Sequence, residues 1–131
     1  GGDPKQNPYL PNKFKPNCVA YTGTHDNNTI YGWWENDASS EEKKNLARYL
    51  KEHKIKKAGR PLHWLFIELL MGSSASRVIL PLQDVLGLGE EGRMNRPGTP
   101  YDNWEWRLPE RTISPAISRR LETLTKTTKR A

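Results

Sequence analysis

His25 and Asp26 stand side by side in the polar stretch Gly23-Thr24-His25-Asp26-Asn27-Asn28, directly after a short apolar run at residues 18–22. An imidazole and a carboxylate at such a place are acid–base or ligand-binding groups. The pair also has a local reading: Asp26 caps a short helix starting near Asn28, and His25 bonds to backbone. The residues alone leave both open. A second polar set, Gln83, Asp84, Glu90, Glu91 and Asn95, follows a second apolar run at residues 77–82. Within it, Glu90 and Glu91 read as surface charges. Asp84 reads either as a wall of a site or as a buried hydrogen-bonding support for its loop, and Asn95 either as a turn former or as a binding amide.

These two sets need elements to position them. Residues 18–22 are β-compatible, bounded by turn formers, and read as a buried parallel strand. Residues 29–34 read as a short helix. Ser39 and Glu42 have capping-box spacing, and Leu46, Ala47, Tyr49 and Leu50 recur at helical intervals, which predicts a helix over 40–53 with a charged outer face. Pro61 suits the first position of another helix. Residues 64–71 are apolar apart from Glu68, the pattern of a helix buried on all sides, and Gly72 is a natural stop. Residues 77–82 form a second strand, with Pro81 near its end. Residues 83–107 read as one long polar loop, of a length that is either functional or disordered, in which Trp104 and Trp106 argue for order. A last amphipathic helix is expected over 114–125, with Ile113, Ala116, Ile117, Leu121 and Leu124 on one side and fraying residues after it. Residues 1–17, with four prolines and four asparagine or glutamine residues, read as an extended loop.

Alternation of strands and helices indicates a parallel sheet with helical crossovers. Two strands cannot form a stable parallel sheet alone, because both faces and both edges need cover. The 131 residues therefore read as an α/β chain forming the end of a (β/α)8 barrel, a TIM barrel, incomplete by itself, with a terminal helix and tail over 108–131. In such barrels, catalytic residues sit on loops after the C-terminal ends of strands, where both polar sets lie.

Bulk composition narrows the partners. The formal charge is +6, but Lys43, Lys44, Lys51, Lys54, Lys56 and Lys57 fall on or after one surface helix. Lys126, Lys129 and Arg130 fall in the tail, no nucleic-acid module accompanies them, and no nucleic-acid partner is expected. No run is apolar enough to span a membrane, and no secretory signal opens the chain. Cys18 is the only cysteine, which excludes an internal disulfide and a cysteine metal cluster. It reads as a small buried apolar residue in a reducing, cytoplasmic setting, or a plastid in a plant or alga. Hydrophobic content of 34% and mean hydropathy of −0.87 are low for a self-contained domain. Five Trp and five Tyr stand largely in polar stretches, where they either hold sugar faces or pin loops to the core. Trp33 and Trp34 read as core and loop anchors, and His53 and His63 as structural or exposed groups without a visible partner.

Three segments carry a family resemblance. Tyr21-Thr22-Gly23-Thr24-His25-Asp26-Asn27-Asn28-Thr29, then Gly32-Trp33-Trp34, resembles the HDN segment of the 4-alpha-glucanotransferases of glycoside hydrolase family 77, the amylomaltases and plant disproportionating enzymes. Pro81-Leu82-Gln83-Asp84-Val85-Leu86-Gly87-Leu88-Gly89, Arg93-Met94-Asn95, Pro97-Gly98-Thr99, Asn103-Trp104 and Trp106-Arg107 are similar to the closing signature of that family. Asn7-Pro8-Tyr9-Leu10-Pro11 resembles the segment before the HDN strand. Asn28 departs from a frequent Asp, and Tyr101-Asp102 falls in a variable stretch.

The resemblance implies retaining transfer of α-1,4-glucan segments between maltooligosaccharides or to glucose, through a covalent glycosyl-enzyme. It implies that Asp26 is the third carboxylate, stabilising the transition state, with His25 and Asn95 contacting sugar and Pro97 and Gly98 shaping the loop of Asn95. The nucleophile Asp and acid/base Glu of the family occur in Arg-x-Asp and Glu-Asp-Leu-Gly contexts, neither of which this sequence contains. No cofactor or metal is implied. The rival readings are a carbohydrate-binding module without catalysis, which would need more strands than these, and a structural fragment.

Overall fold

A computed structural model describes residues 11–57 and 59–131 of the chain. Asn7 to Leu10, quoted above for their resemblance, lie outside these residues. Strands β1 (Val19–Tyr21) and β2 (Arg77–Ile79) pair in parallel, with Val19 opposite Arg77, Ala20 opposite Val78 and Tyr21 opposite Ile79. The long connection between them carries α1 (Ile30–Gly32), a π turn over Trp33–Asp37, α2 (Ser40–Glu52) and α3 (Leu62–Met71). Helix α4 (Leu82–Val85), a 3-10 turn at Glu90–Gly92 and α5 (Pro115–Thr127) follow β2.

Both strands are shorter than the apolar runs that announce them. Pro81 has no amide to donate and stands at the N-cap of α4, so the chain turns into that helix instead of extending β2. Nor is β1 buried throughout: Ala20 is buried, while Val19 and Tyr21 on the other face are exposed. The stretch 83–107 is likewise not one loop, since α4 and the 3-10 turn interrupt it.

Local chemistry starts the helices where the sequence marks them. Ser39 Oγ accepts from the Glu42 amide at 3.1 Å and Glu42 Oε2 accepts from the Ser39 amide at 2.8 Å, closing the capping box of α2. Those bonds, the Ser39 amide foremost, hold the Glu42 carboxyl below its ordinary pKa. For α3, Pro61 takes the N-cap rather than the first helical position, and its carbonyl accepts from the Leu65 amide.

Helix α3 is the centre of the packing. Trp64, Ile67 and Met71 form one buried cluster with Val85, over which Ile117, Leu121 and Leu124 of α5 close. Leu70 joins Ala20 and Ala75 in a second cluster, against which Cys18 packs, and Val78 touches both. Burial wraps most of α3 but not all, because Phe66 and Leu69 keep some exposure. Ile113 and Ala116 leave the expected apolar side of α5: both are exposed, and Ile113 precedes the helix. Glu68, the one charge in the run, takes Arg60 of the preceding loop at 2.9 Å and Arg120 of α5 at 3.4 Å.

The two histidines outside the polar loops have partners after all. His53 Nδ1 donates to the Tyr49 carbonyl at 2.9 Å. His63 Nδ1 lies 3.1 Å from the Tyr31 hydroxyl, which accepts from the Leu62 amide. Burial, and after it the positive Arg120, pushes the His63 imidazole below its ordinary pKa. Its ring closes on Gly87, where a Cβ would come within 2.9 Å of the imidazole and φ is +69°. Only glycine fits there. The tail does not fray as expected. Arg130 donates to the carbonyls of Met71, Ala75 and Ser73 at 2.8, 2.9 and 2.9 Å.

Candidate active site

Because β1 and β2 are parallel and in register, the loops that leave Tyr21 and Ile79 emerge from the same sheet edge. They wall a cleft of about 410 Å³, with Tyr21, His25, Asp84, Arg93 and Trp104 in its lining. The two polar sets, some seventy residues apart in sequence, therefore meet in one place.

The first loop is shaped by its own side chains. Asn27 Oδ1 accepts from both the amide and the hydroxyl of Thr24, at 2.8 and 2.9 Å, and the Asn27 amide returns a bond to the Thr24 carbonyl. This tight turn puts His25 and Asp26 at its apex, with side chains 57% and 50% exposed. His25 Nε2 stands 3.3 Å from Asp26 Oδ1.

The helix-capping alternative for Asp26 does not hold. Thr29 is the N-cap of α1, its hydroxyl oxygen accepting from the Gly32 amide at 3.1 Å. The carboxylate that fastens this helix end is Asp84, whose Oδ1 accepts from the Ile30 amide at 2.9 Å and whose Oδ2 accepts from the Thr22 hydroxyl at 2.7 Å. Asp84 is 2% exposed. Burial pushes its carboxyl above the ordinary pKa, against the opposing pull of those two donors.

Asp26, freed of capping, faces the second loop. Asn95 Nδ2 donates to Asp26 Oδ1 at 2.7 Å. Arg93 holds the pair from behind: its Nε donates to the Asn95 carbonyl at 3.0 Å and its Nη2 to the Asp26 carbonyl at 3.1 Å. Farther along, Asn103 Oδ1 accepts from the Arg96 amide at 2.7 Å while Asn103 Nδ2 donates to the Thr99 carbonyl at 2.9 Å. Gly98 sits within that closed loop at φ +81°, a backbone state that favours glycine. Glu90 is no free surface charge, since it pairs with Arg96 at 2.6 Å and accepts from Asn36 at 2.7 Å. Glu91 accepts from the Gly89 amide.

Two residues of this cluster were not singled out as site residues from the sequence. Arg93 was visible only as part of a motif. Trp104, 55% exposed, carries its indole 5.0 Å from the His25 ring, centroid to centroid. Trp33 and Trp34 lie elsewhere, Trp33 edge-on to Phe66 and Trp34 beneath Lys43 and Lys57, as anchors would. His25 and Trp104 line the cleft, while Asp26 and Asn95 stand beside it without lining it; an imidazole and an indole, with a half-exposed carboxylate and an amide next to them, suit a ligand with hydroxyl groups and an apolar face. Among the described residues no three His, Cys, Asp or Glu side chains converge to hold a metal, and no helix is long and apolar enough to cross a membrane.

Comparison with known proteins places the chain in a family. A family model described as 4-alpha-glucanotransferase matches residues 2–113. The chloroplastic/amyloplastic 4-alpha-glucanotransferase of Solanum tuberosum is 46% identical over 111 residues, covering 85% of this chain and 18% of that protein. The 4-alpha-glucanotransferase of Thermus thermophilus is 41% identical over 131 residues, covering 98% of this chain and 26% of that protein. Among solved structures, an amylomaltase from Streptococcus agalactiae in complex with acarbose superposes with a TM-score of 0.85 at 27% identity, over 95% of this chain and 24% of that one. The chain thus spans roughly a fifth to a quarter of the proteins it matches. On the breadth of the family match and the identity of these relatives, the chain belongs to the 4-alpha-glucanotransferase family.

Proposed function

We propose that this chain supplies the transition-state-stabilising carboxylate and the sugar-binding loops of a retaining 4-alpha-glucanotransferase acting on α-1,4-glucans and maltooligosaccharides. The observation that carries the reading is the 2.7 Å bond from Asn95 to Asp26, which joins the two loops that leave the C-terminal ends of the parallel strands, next to the cleft lined by their neighbours His25 and Met94. In the reading, β1 and β2 are strands of a (β/α)8 barrel, whose active sites form at that edge.

Asn95 and Arg93 fix Asp26 from one side. No described residue donates to Asp26 Oδ2, which is left to accept from a sugar hydroxyl, with His25 beside it for a neighbouring hydroxyl. Such bonds strengthen as the ring gains oxocarbenium character, so a carboxylate held before the reaction lowers the barrier without reorganising during it. Asp84 contributes by tying Thr22, at the start of the His25–Asp26 loop, to the first turn of α1. Glycosyl transfer with retention also needs a nucleophilic carboxylate and an acid/base carboxylate, and neither is assigned to a residue of this chain. Transfer then requires those groups from the remainder of a family fold.

A chimera tests this. The matched segment of the Thermus thermophilus relative is replaced by this chain, and glucose release from maltotriose is followed. The chimera is expected to transfer glucan, and Asp26→Asn to lower kcat by about 100-fold or more, the scale on which a preorganised transition-state partner acts. Asn95→Ala is expected to cost less, since the carboxylate remains. A folded chimera that is inactive, or Asp26→Asn at the parental rate, would defeat the proposal.

A further inference from the structure

We infer that Trp104 is a positioning residue for His25, holding the imidazole at the angle from which it meets both Asp26 and the ligand; this rests on the functional reading above. Three observations converge. The indole is more than half exposed, yet it is placed against the His25 ring at 5.0 Å with the planes inclined by 38°. Its backbone sits in the left-handed region at φ 63°, which a bulky residue adopts only where its surroundings impose it. What imposes it is visible. The Trp104 amide donates to the Met94 carbonyl at 2.7 Å, between Arg93 and Asn95, and the neighbouring Asn103 closes the 96–103 loop on itself.

The strained backbone and the closed loop thus share one product, an aromatic face beside His25. Without it His25, more than half exposed on a turn apex, has only the 3.3 Å approach to Asp26 among the described residues to hold its ring. A ring–ring contact at this distance and tilt is attractive and removes one side of the rotamer freedom of the imidazole. Trp104 would thereby act on the ligand through His25.

The test separates the ring from the backbone. Trp104→Gly keeps the left-handed conformation accessible and removes only the indole, while Trp104→Phe keeps an aromatic face. In the chimera described above, Trp104→Gly is expected to lower kcat/KM for maltotriose by roughly tenfold in the presence of His25 and by less than about twofold in a His25→Ala background, as contacting residues couple in double-mutant cycles. Trp104→Phe should recover most of the loss. In the full 131-residue chain, the His25 ring protons should lie upfield through the indole ring current and move downfield in Trp104→Gly. Equal losses with and without His25, or His25 protons already at their random-coil positions in the unsubstituted chain, would overturn the inference. If His25→Ala and Asp26→Asn leave transfer intact, the functional reading fails instead.

Discussion

Asp84 receives the Ile30 amide and the Thr22 hydroxyl on its two oxygens at a position almost sealed from water, and burial raises its pKa in spite of both donors. The sign of the pH effect follows. Between an unfolded value near 3.9 and the higher folded value, the native state binds more protons than the unfolded one, so stability falls as pH rises through this window. The contribution is fully present below the unfolded value and is lost above the folded one. Protonated Asp84 can still accept from Ile30 while its own hydroxyl donates to Thr22, whose oxygen has lone pairs to spare. Asparagine reproduces that arrangement at every pH. Asp84→Asn is therefore expected to hold the fold and flatten the pH dependence of unfolding above pH 4, whereas Asp84→Ala, leaving the Ile30 amide and the Thr22 hydroxyl unpaired, should cost about 1–3 kcal/mol. Urea unfolding of the three proteins between pH 3 and 7 checks this. Equal destabilisation by Asn and Ala would mean that Asp84 works through its charge.

At the scale of elements, the tail after α5 carries the sharpest case. The Arg130 guanidinium reaches three carbonyls at the C-terminal end of α3 and in the turn toward β2. Those carbonyls lie where a helix leaves acceptors unsatisfied and where positive charge is favoured. Arg130→Ala should lower stability by about 2 kcal/mol, within the range for charge-assisted bonds, and Arg130→Lys should recover less than half, because one ammonium cannot serve three diverging acceptors. The exposed Lys126–Glu122 pair supplies the control: Lys126→Ala should change stability by less than about 0.5 kcal/mol. Thermal unfolding of each variant decides it, and a neutral Arg130→Ala would reduce the clasp to a surface contact. What the sequence showed and hid divides along this line. The Ser39–Glu42 box and the Thr24–Asn27 turn are local, with partners three residues apart, and the box was legible as spacing. The bonds of Arg130 span 55 to 59 residues, so polarity alone suggested fraying. Helix α4 is too short for a helical period to register, and nothing in residue type announces a left-handed Trp104 or a bond from Thr22 to Asp84. His25, Asp26 and Asn95 stand out in the sequence because they lie in polar stretches that follow apolar runs, while the roles given to them came from the resemblance of the surrounding segments. The bond between Asn95 and Asp26 does not show in the sequence, because contact between the two loops depends on the parallel register.

The whole molecule is asymmetric about its sheet. On one face Ala20 and Val78 meet α3 and the clusters around it, while on the other Val19, Tyr21 and Ile79 remain 39%, 50% and 53% exposed. A parallel sheet is covered on both faces when a fold of this class is complete, and two paired strands leave two open edges. Counting strands in the sequence already implied this, and the parallel pairing agrees with it. Since the chain spans about a quarter or less of its relatives, the cover expected for this face is the remainder of a family fold. The prediction is specific to the face. Ile79→Glu should leave helix content and thermal midpoint of the chain by itself nearly unchanged, because Ile79 is 53% exposed there and belongs to neither buried cluster. In a mixture with the remaining portion of the Thermus thermophilus relative, expressed as a separate polypeptide, the unsubstituted chain should co-purify and restore maltotriose disproportionation. Ile79→Glu should abolish both, because a carboxylate would replace an apolar side chain in a closed interior. An exposed-face control, Glu122→Gln on α5, should assemble like the parent. If Ile79→Glu assembled equally well, the open face would be a solvent face in the complete protein. The two strands would then lie at a surface, and the cleft above them would lose the wall on which its proposed use depends.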